Sequence, residues 1–378
     1  MAYRDVVQMV HELVLGYGGY LNAHAHLDRA YTLDARYLED YGMTPLEAAS
    51  APLSVKQDLV GALRAGPAYQ ELLNLQGRMR VGLQTMAREG VRSCTSFIDA
   101  TPDIGLRAIE AAGHVRRQCH GEIDFQIAAH PIYGFKDDPR YAKSRWEVFR
   151  EACEMPDVDI IGGLPEKDDR PDSIGFNGHI SRTLKLGIEL RKPVHEHVDQ
   201  ANDAREKGTL TLIEAVRWLG SPDCSKNGEP TVWAVHCISP SAYPEKKFHK
   251  VLEGLLECNI GVICCPRAAL SMWQNRALNG PTHNSIARVL EMALAGVWVR
   301  LGTDNIADMF ETTSGTMPGE VRELVTAIRF ADPHVLAKLA TGTPLNESNK
   351  EVIRRHLREN VKRYRATDPS FQFCMDLD

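Results

Sequence analysis

The stretch from residue 158 to residue 198 decides how this chain folds. It begins with VDIIGGL (158–164), continues through HISRTLKLGIELR (179–191) and ends with KPVHEHV (192–198). The first and last runs are short and apolar, which is typical of strands covered on both faces of a parallel sheet. The middle run repeats apolar residues at intervals of three and four, which indicates a helix. The stretch therefore predicts one strand–helix–strand unit.

The same alternation continues along the whole chain. The other predicted strands are GYLNAH (19–24), VRSCTSFID (91–99), EIDFQIAAH (122–130), TVWAVH (231–236), IGVICC (260–265) and GVWVRLGTD (296–304). Eight alternating strands and helices favour a closed (β/α)8 barrel, the TIM barrel, over an open doubly wound sheet, which is the structural alternative. We expect a single barrel domain over residues 1–378.

Two segments exceed what a plain barrel needs. Residues from about 32 to 63 predict an inserted loop-and-helix cap over the barrel mouth, because long insertions of this kind are often lids. Residues from about 346 to 378 predict a C-terminal helical extension. Its helix NESNKEVIRRHLRENVKRYR (346–365) is strongly charged, so we expect it at the surface or at a subunit contact.

Composition excludes several classes of protein. The 378 residues carry a net charge of -6, which argues against nucleic-acid binding. No apolar run approaches the roughly 18 residues of a membrane span, and the N-terminus does not look like a signal peptide. The nine cysteines form no CxxC pair, so we expect reduced thiols and a cytoplasmic protein. In GVICC (261–265) the cysteines are interpreted as buried hydrophobes in preference to a thiolate metal site.

Polar residues gather where predicted strands end, which is where (β/α)8 barrels place their chemistry. These residues are His24, His26, His195, His197, His236 and Asp304. Histidines two residues apart on a strand point to the same side, so both can face one ion. Each motif alone is weak, since a lone histidine also fits a packed core and an aspartate also fits a helix N-cap. Their joint order along the chain predicts a metal site suited to Zn²⁺ or Fe²⁺.

Three motifs resemble the amidohydrolase superfamily, and within it the cytosine deaminase-like branch. They are LNAHAHLDRAYT (21–32), GGLPEKDD (162–169) and LGTDNIADMF (301–310). The resemblance extends from about Tyr20 to about Asp308. The first and last motifs are most similar to those of the N-isopropylammelide isopropylaminohydrolases, which act in triazine degradation. The motifs are specific for the superfamily and much less so for a substrate.

The resemblance implies a set of metal ligands, namely His24, His26, His197 and Asp304. It implies that His236 is an acid–base group beside the metal, and that His236 stabilises the negative charge that develops on the substrate during the reaction. His195 lies one pleat deeper on the same face as His197 and remains an alternative ligand. The resemblance favours one divalent ion, Zn²⁺ or Fe²⁺ with Mn²⁺ as a further candidate. The run Glu166-Lys167-Asp168 at the end of the fourth strand leaves a bridged two-metal site open.

The chain also departs from this branch. Gln200 stands where the branch has a glutamate that shuttles protons, and an amide cannot carry a proton in that role. Ile132 stands where the branch has a pyrimidine-binding glutamine, which argues against cytosine itself as the substrate. The proton must then be moved by His236, Glu196 or Asp304, of which His236 has the most suitable intrinsic pKa. The usual small β-sandwich is also expected to be missing.

Further polar residues are candidates for substrate contact, each with a packing or capping role as the alternative. The predicted substrate-binding residues are Arg29, Asn305, His130, Glu166 and His195, and Asp99, Trp273 and His283 are further candidates for the pocket. For Arg29, the alternative to substrate binding is a salt bridge to Asp28 or Asp34.

The leading hypothesis is a metal-dependent hydrolase that deaminates, or dealkylaminates, a small nitrogen heterocycle. Hydrolysis of an amide or cyclic amide, and displacement of another leaving group from an activated ring, use the same activated water and stay open. A catalytically silent binding protein is the alternative from another class, motivated by Gln200. The expected partner is a small-molecule substrate, and the resemblance implies a homo-oligomer.

Overall fold

Eight parallel strands form one sheet whose order follows the chain. The computed structural model of the protein describes residues 5–51, 53–271 and 285–377. The strands are β1 (Tyr20–Ala25), β2 (Val91–Asp99), β3 (Asp124–His130), β4 (Ile160–Gly163), β5 (Val194–Val198), β6 (Val232–His236), β7 (Ile260–Cys264) and β8 (Val299–Leu301). All seven successive pairings are parallel. The prediction of a (β/α)8 barrel is confirmed, and the doubly wound alternative is excluded by this strand order.

Helices surround the sheet. They are α1 (Val6–Gly16), α2 (Ala35–Leu38), α3 (Pro45–Ser50), α4 (Leu53–Ala65), α5 (Pro67–Gln70), α6 (Leu72–Arg88), α7 (Arg107–Gln118), α8 (Arg145–Glu154), α9 (Gly175–Leu190), α10 (Gly208–Leu219), α11 (Glu245–Glu257), α12 (Pro266–Ser271), α13 (Val289–Ala295), α14 (Met317–Ile328), α15 (Pro333–Thr341) and α16 (Glu347–Thr367). Short 3-10 helices span Glu39–Tyr41, Pro165–Lys167 and Ser239–Ala242. Within the described ranges, no helix has the length and apolar character of a membrane span.

The barrel closes between its first and last strands. An isolated parallel bridge joins Ala25 to Asp304. Below it, the Asn22 side chain donates to Thr303 Oγ1 at 2.9 Å and accepts from the Thr303 backbone N–H at 3.1 Å. Asn22 is fully buried, so these two bonds satisfy polar groups that have no access to water. The closure brings the ends of β1 and β8 together.

Apolar side chains fill the barrel interior. This inner cluster consists of Ala23, Phe97, Ala128, Ile160, Trp233, Val235, Ile263 and Cys265. Gly261 leaves room for the largest of them, since a Cβ there would lie 2.4 Å from the Trp233 ring. Cys264 faces the outer core, and burial raises the pKa of its thiol to about 12 and that of Cys265 well above the usual value. Both cysteines therefore pack as apolar residues, as predicted.

The long connection between β1 and β2 is helical and reaches the barrel mouth. It contains α2 to α6, and Ala51 and Lys56 line the cavity at the mouth. Arg64 fixes this connection to the barrel, because its guanidinium lies 3.2 Å from Asp99 Oδ2 and 2.7 Å from Asp103 Oδ2.

The C-terminal helix α16 is only partly at the surface. Its residues Asn349, Ile353, Leu357 and Val361 are buried and recur every four positions, so they form one face of the helix. The apolar members of this face belong to the outer core. The sequence predicted a charged helix at the surface. In the structure one face of α16 is exposed, and the opposite face packs against the barrel.

Candidate metal centre

Four strand ends bring histidines and one carboxylate into a single cluster. His24 Nε2 lies 3.6 Å from Asp304 Oδ1, and His26 Nε2 lies 3.3 Å from the same oxygen. His197 Nε2 lies 3.3 Å from His24 Nε2. His236 Nε2 lies 3.7 Å from the other carboxylate oxygen, Asp304 Oδ2. These strand-end residues, far apart along the chain, thus meet at one point.

The spacing of these donor atoms matches what a small cation requires. Ligand atoms at about 2.1 Å around a tetrahedral Zn²⁺ lie roughly 3.4 Å from one another. The three closest contacts in the cluster are 3.3, 3.3 and 3.6 Å. Among the described residues, two groups of three could hold an ion, namely His24 with His26 and His197, and His24 with His236 and Asp304. Because both groups contain His24, they describe one centre, and the donor set fits a divalent metal.

Burial favours the neutral form of three of these imidazoles, those of His26, His197 and His236, and the neutral form is the one that binds a metal. Burial holds the pKa of His26 and of His197 well below the usual value. Burial also lowers the pKa of His236 to about 4, against the opposing charge of Asp304. For Asp304, burial opposes ionisation, but hydrogen bonds from His24 and His26 hold its pKa well below the usual value. The cluster therefore combines three neutral imidazoles, of His26, His197 and His236, with one anionic carboxylate.

The structure distinguishes His197 from His195. The His197 ring is oriented by its Nδ1, which lies 2.9 Å from the carbonyl oxygen of Gly163 and so directs Nε2 toward the cluster. The His195 ring instead lies between Phe97 and Trp233, with ring centroids 6.2 and 6.0 Å away. His195 does not line the cavity at the barrel mouth. Its predicted contact with substrate is therefore not supported by its position.

Two strand ends adopt an unusual backbone. His236 has φ 74° and Asp304 has φ 59°, a left-handed conformation that is costly for residues other than glycine. Such strain persists only where the surroundings impose it and gathers at functional sites. Beside them, Gly302 permits the close approach of β8 to β1, since a Cβ there would lie 2.7 Å from the His24 Cβ.

A cavity of about 470 Å³ opens beside the cluster. It is lined by the cluster residues His26, His197, His236 and Asp304, by Gln200, and by four of the five predicted substrate-binding residues, namely Arg29, His130, Glu166 and Asn305. Ile132 also lines it. The sequence prediction therefore placed most of its site residues in one pocket, at the carboxyl ends of the strands.

Arg29 is held by carboxylates other than those expected. Its Nε donates to Asn305 Oδ1 at 2.8 Å and lies 3.6 Å from Asp308 Oδ2, while Nη1 lies 3.7 Å from Asp99 Oδ1. The predicted salt-bridge partner Asp34 is paired with Arg36 instead. The other predicted partner, Asp28, acts on Arg29 through its negative charge, whereas the carboxylates within ion-pair distance come from the end of β2 and from the loop after β8.

His130 and Asp99 form a buried pair beside the cluster. His130 Nδ1 lies 2.9 Å from Asp99 Oδ1, and His130 Nε2 is buried with no hydrogen-bond partner among the described residues. Burial opposes ionisation of Asp99, but His130, Arg29 and Arg64 hold its pKa well below the usual value. Asp99 thus anchors a histidine whose free nitrogen is available to a ligand in the cavity.

Glu166 and Gln200 both line the cavity, and their side chains are hydrogen-bonded to each other. The Gln200 amide donates from Nε2 to Glu166 Oε2 at 2.9 Å, and Glu166 Oε1 is buried without a partner in the described part of the chain. Burial raises the pKa of Glu166 to about 8, and the negative charges of Glu206 and Asp199 add to the effect.

Glu196 does not face the cluster. It accepts a hydrogen bond from Thr183 on α9, on the opposite side of β5 from His197. Successive side chains of a strand point to opposite faces, so a strand that directs His195 and His197 inward directs Glu196 outward. The position of Glu196 therefore does not support the prediction that it moves the proton.

Several pocket residues were missed at the sequence level. Lys56 comes from the connection between β1 and β2, and Phe310 and Glu311 come from the loop after β8. Glu311 is paired with Arg267, 3.1 Å away. The sequence contains little to identify these residues. Loop residues show no hydrophobic periodicity, and the direction of their side chains depends on the conformation of the loop. Trp273 and His283 lie outside the described residues.

The comparisons with known proteins agree with this geometry. The chain is 27% identical over 292 residues to a protein of Haemophilus influenzae described only as uncharacterized, covering 76% of this chain and 95% of the relative. It is 22% identical over 333 residues to a pterin deaminase of Rhizobium rhizogenes, covering 86% and 68%. No family model matches the chain.

Among solved structures, 5-methylcytosine deaminase from Klebsiella pneumoniae superposes with a TM-score of 0.69 at 21% identity, covering 89% of this chain and 82% of that one. The chain therefore shares the fold of this deaminase. N-isopropylammelide isopropylaminohydrolase from Burkholderia multivorans superposes with a TM-score of 0.64 at 15% identity over the same shares. Both structures share the barrel fold that the sequence resemblance implied.

Proposed function

We propose that the protein is a metal-dependent hydrolase that deaminates or dealkylaminates a small nitrogen heterocycle. The observation that carries this proposal is the spacing of the three histidine nitrogens and the Asp304 oxygens at the mouth of an amidohydrolase-type barrel. The adjoining cavity of about 470 Å³ falls in the size range of small-molecule sites. Further support comes from the similar proteins, which are named as deaminases or aminohydrolases of pterin, 5-methylcytosine and N-isopropylammelide.

In this proposal His24, His26, His197 and Asp304 hold one divalent ion. Imidazole and carboxylate donors suit Zn²⁺ or Fe²⁺, with Mn²⁺ as a third candidate. When bound, such an ion lowers the pKa of water toward neutrality and so supplies hydroxide at pH 7. A single ion is favoured over two, because both metal-capable groups in the described residues share His24 and neither contains Glu166 or Asp168.

The protein's own residues then position the substrate and move protons. Asp304 accepts a proton from the attacking water, since its carboxylate is ionised and lies within the cluster. His236 is neutral, so its ring can donate a hydrogen bond to the oxygen on which negative charge develops. Arg29 and Asn305, bonded to each other, form the wall of the cavity on the β8 side and orient the substrate.

We also propose a cytoplasmic location and a homo-oligomeric state. All nine cysteines are free, which supports a reducing compartment. The homo-oligomer rests on the resemblance alone.

Elemental analysis and ammonia release test the proposed function together. The purified protein, reconstituted with Zn²⁺ or Fe²⁺, should hold about one equivalent of metal, as a single mononuclear site requires. It should release ammonia, or an alkylamine, from at least one of cytosine, 5-methylcytosine, pterin and N-isopropylammelide. A fully metallated protein that binds one of these compounds and releases no amine would support the silent binding protein instead. Failure to hold any metal would refute the proposal.

A further inference from the structure

Glu166 occupies a distinctive place in the cavity. It lies in the short 3-10 helix Pro165–Lys167 that follows β4, and it lines the cavity together with His197 and His236. Its Oε2 accepts from Gln200, whereas its Oε1 is buried without a hydrogen-bond partner among the described residues. A buried polar atom left unpaired in a native fold calls for an explanation such as an absent ligand.

The loop that carries Glu166 is firmly held. Asp168 accepts hydrogen bonds from the backbone N–H of Phe135 at 2.9 Å and from the hydroxyl of Ser173. His179 bonds to Asp168 through Nδ1 at 2.7 Å and accepts the Leu164 N–H at its Nε2, 3.0 Å away. These contacts fix both ends of the loop, so the Glu166 carboxyl is preorganised and does not need to be ordered by a substrate.

The surroundings of Glu166 favour its neutral form. Burial and the negative charges of Glu206 and Asp199, both in the loop after β5, raise its pKa to about 8. The cavity is also lined by the cations Arg29, Lys56 and Lys167, of which Arg29 is paired with carboxylates of its own. Near pH 7 the carboxyl thus keeps its proton, with Oε2 as the acceptor for Gln200 and Oε1 as the hydroxyl.

Other cavity groups are less suited to carry a proton to a substrate. Gln200 has an amide, which donates hydrogen bonds but transfers no proton. Arg29 remains protonated under all ordinary conditions. Glu311 is committed to an ion pair with Arg267 at 3.1 Å. Outside the metal cluster, Glu166 is therefore the carboxyl of this cavity that offers an exchangeable proton.

We infer that Glu166 is a catalytic residue that donates its Oε1 proton to the ring nitrogen next to the carbon under attack, with Gln200 as its positioning residue. This inference rests on the proposed function and defines the substrate further. The substrate must carry an amidine-type edge, meaning a ring nitrogen that accepts a proton beside a carbon that bears the amino group. A neutral carboxyl matches such an edge, because it donates through the hydroxyl and accepts through the carbonyl.

The proton movements balance. As the water oxygen bonds to carbon, one water proton passes to Asp304, the Glu166 proton passes to the ring nitrogen, and the C=N electron pair moves onto that nitrogen. Asp304 then returns its proton to the amino group, and the C–N bond breaks with its electron pair, releasing ammonia. The new hydroxyl becomes a carbonyl and gives its proton to the Glu166 carboxylate. The products are ammonia and a ring lactam, and both carboxyl groups are restored.

The test compares Glu166→Gln with Glu196→Gln in metal-loaded protein. Glu196 is a matched control, because burial also raises its pKa to about 8 but its side chain faces α9 and not the cavity. General acid–base groups contribute about 10²- to 10⁴-fold, so kcat of Glu166→Gln on the best aminated heterocycle should fall by that factor. Glu196→Gln should keep the kcat of the wild type. Formate should restore part of the activity of Glu166→Ala, which a purely structural role would not allow.

A second measurement does not depend on turnover. The infrared difference between metal-loaded wild type and Glu166→Gln at pH 6.5, without substrate, should contain the C=O band of a protonated carboxyl. A carboxylate band in its place would overturn the inference, and so would a Glu166→Gln variant that keeps the wild-type kcat with full metal content. If wild type itself releases no amine from any heterocycle while fully metallated, the proposed function fails and this inference fails with it.

Discussion

Replacing Glu196 by glutamine should stabilise the protein more and more as the pH rises. Glu196 is 0% exposed, accepts a hydrogen bond from Thr183 at Oε1, and has no partner at Oε2 among the described residues. Burial raises its pKa from the usual 4.5 to about 8. Between these two pH values the unfolded chain has released a proton that the folded protein still holds.

The size of the effect follows from this difference. The contribution of protonated Glu196 to the free energy of unfolding is complete below about pH 4.5. It is lost as the pH rises toward 8, by about 1.4 kcal/mol per pH unit. The loss reaches about 3 kcal/mol at pH 7 and about 4 kcal/mol at pH 8. Glutamine cannot ionise and keeps an oxygen for Thr183, but burying its unpaired amide costs about 1–3 kcal/mol. The difference in unfolding free energy between variant and wild type should therefore grow by about 3.5 kcal/mol from pH 5 to pH 8.

Urea unfolding of both proteins at pH 5, 7 and 8, with equal metal loading, measures this difference. Thr183→Val provides the control, because it leaves Glu196 without its hydroxyl donor and should lower stability at all three values. A difference between Glu196→Gln and wild type that stays constant from pH 5 to pH 8 would refute the reasoning, since it would mean that Glu196 ionises alike in the folded and unfolded states.

Further predictions concern the cluster, the barrel closure and the cap. His24→Ala and Asp304→Ala should each lose the bound metal in elemental analysis, whereas His195→Ala should keep it; metal loss in the last variant would make His195 a ligand. Asn22→Ala removes both side-chain bonds between β1 and β8 and should lower the unfolding free energy by about 2–3 kcal/mol, so an unchanged urea midpoint would contradict this account of closure. Arg64→Ala breaks the ion pairs that fix the β1–β2 connection and should speed proteolytic cleavage between residues 32 and 63; an unchanged rate would show that other contacts hold it.

The strands and the metal cluster were predictable from the sequence for one physical reason. A parallel barrel buries both faces of every strand, so each strand appears as an apolar run, and the polar residue that ends it stands out. His24, His236 and Asp304 were identified in this way, and the structure places them together. The choice between His195 and His197 was left open, because both point to the same side and only depth in the barrel separates them.

The buried charges around Arg29 were not predictable in the same way. Arg29 meets Asp99 from the end of β2 and Asp308 from the loop after β8, so its partners are set by the closure of the barrel. Arg64 reaches Asp99 from the β1–β2 connection, whose path no local pattern determines. A carboxylate that holds two guanidinium groups and His130 is a property of the assembled fold.

Glu166 and Glu196 show how fold position separates two chemically similar groups. Burial raises the pKa of both to about 8, so each is a neutral acid at pH 7. Glu196 belongs to a strand whose alternation sends it away from the cavity, where its proton can affect only stability. Glu166 lies past the end of β4, where the chain leaves the sheet and turns over the cavity. At position 196 the cost of burying the carboxyl is therefore offset only by the hydrogen bond from Thr183, whereas at position 166 the buried carboxyl provides a proton where the proposed reaction needs one.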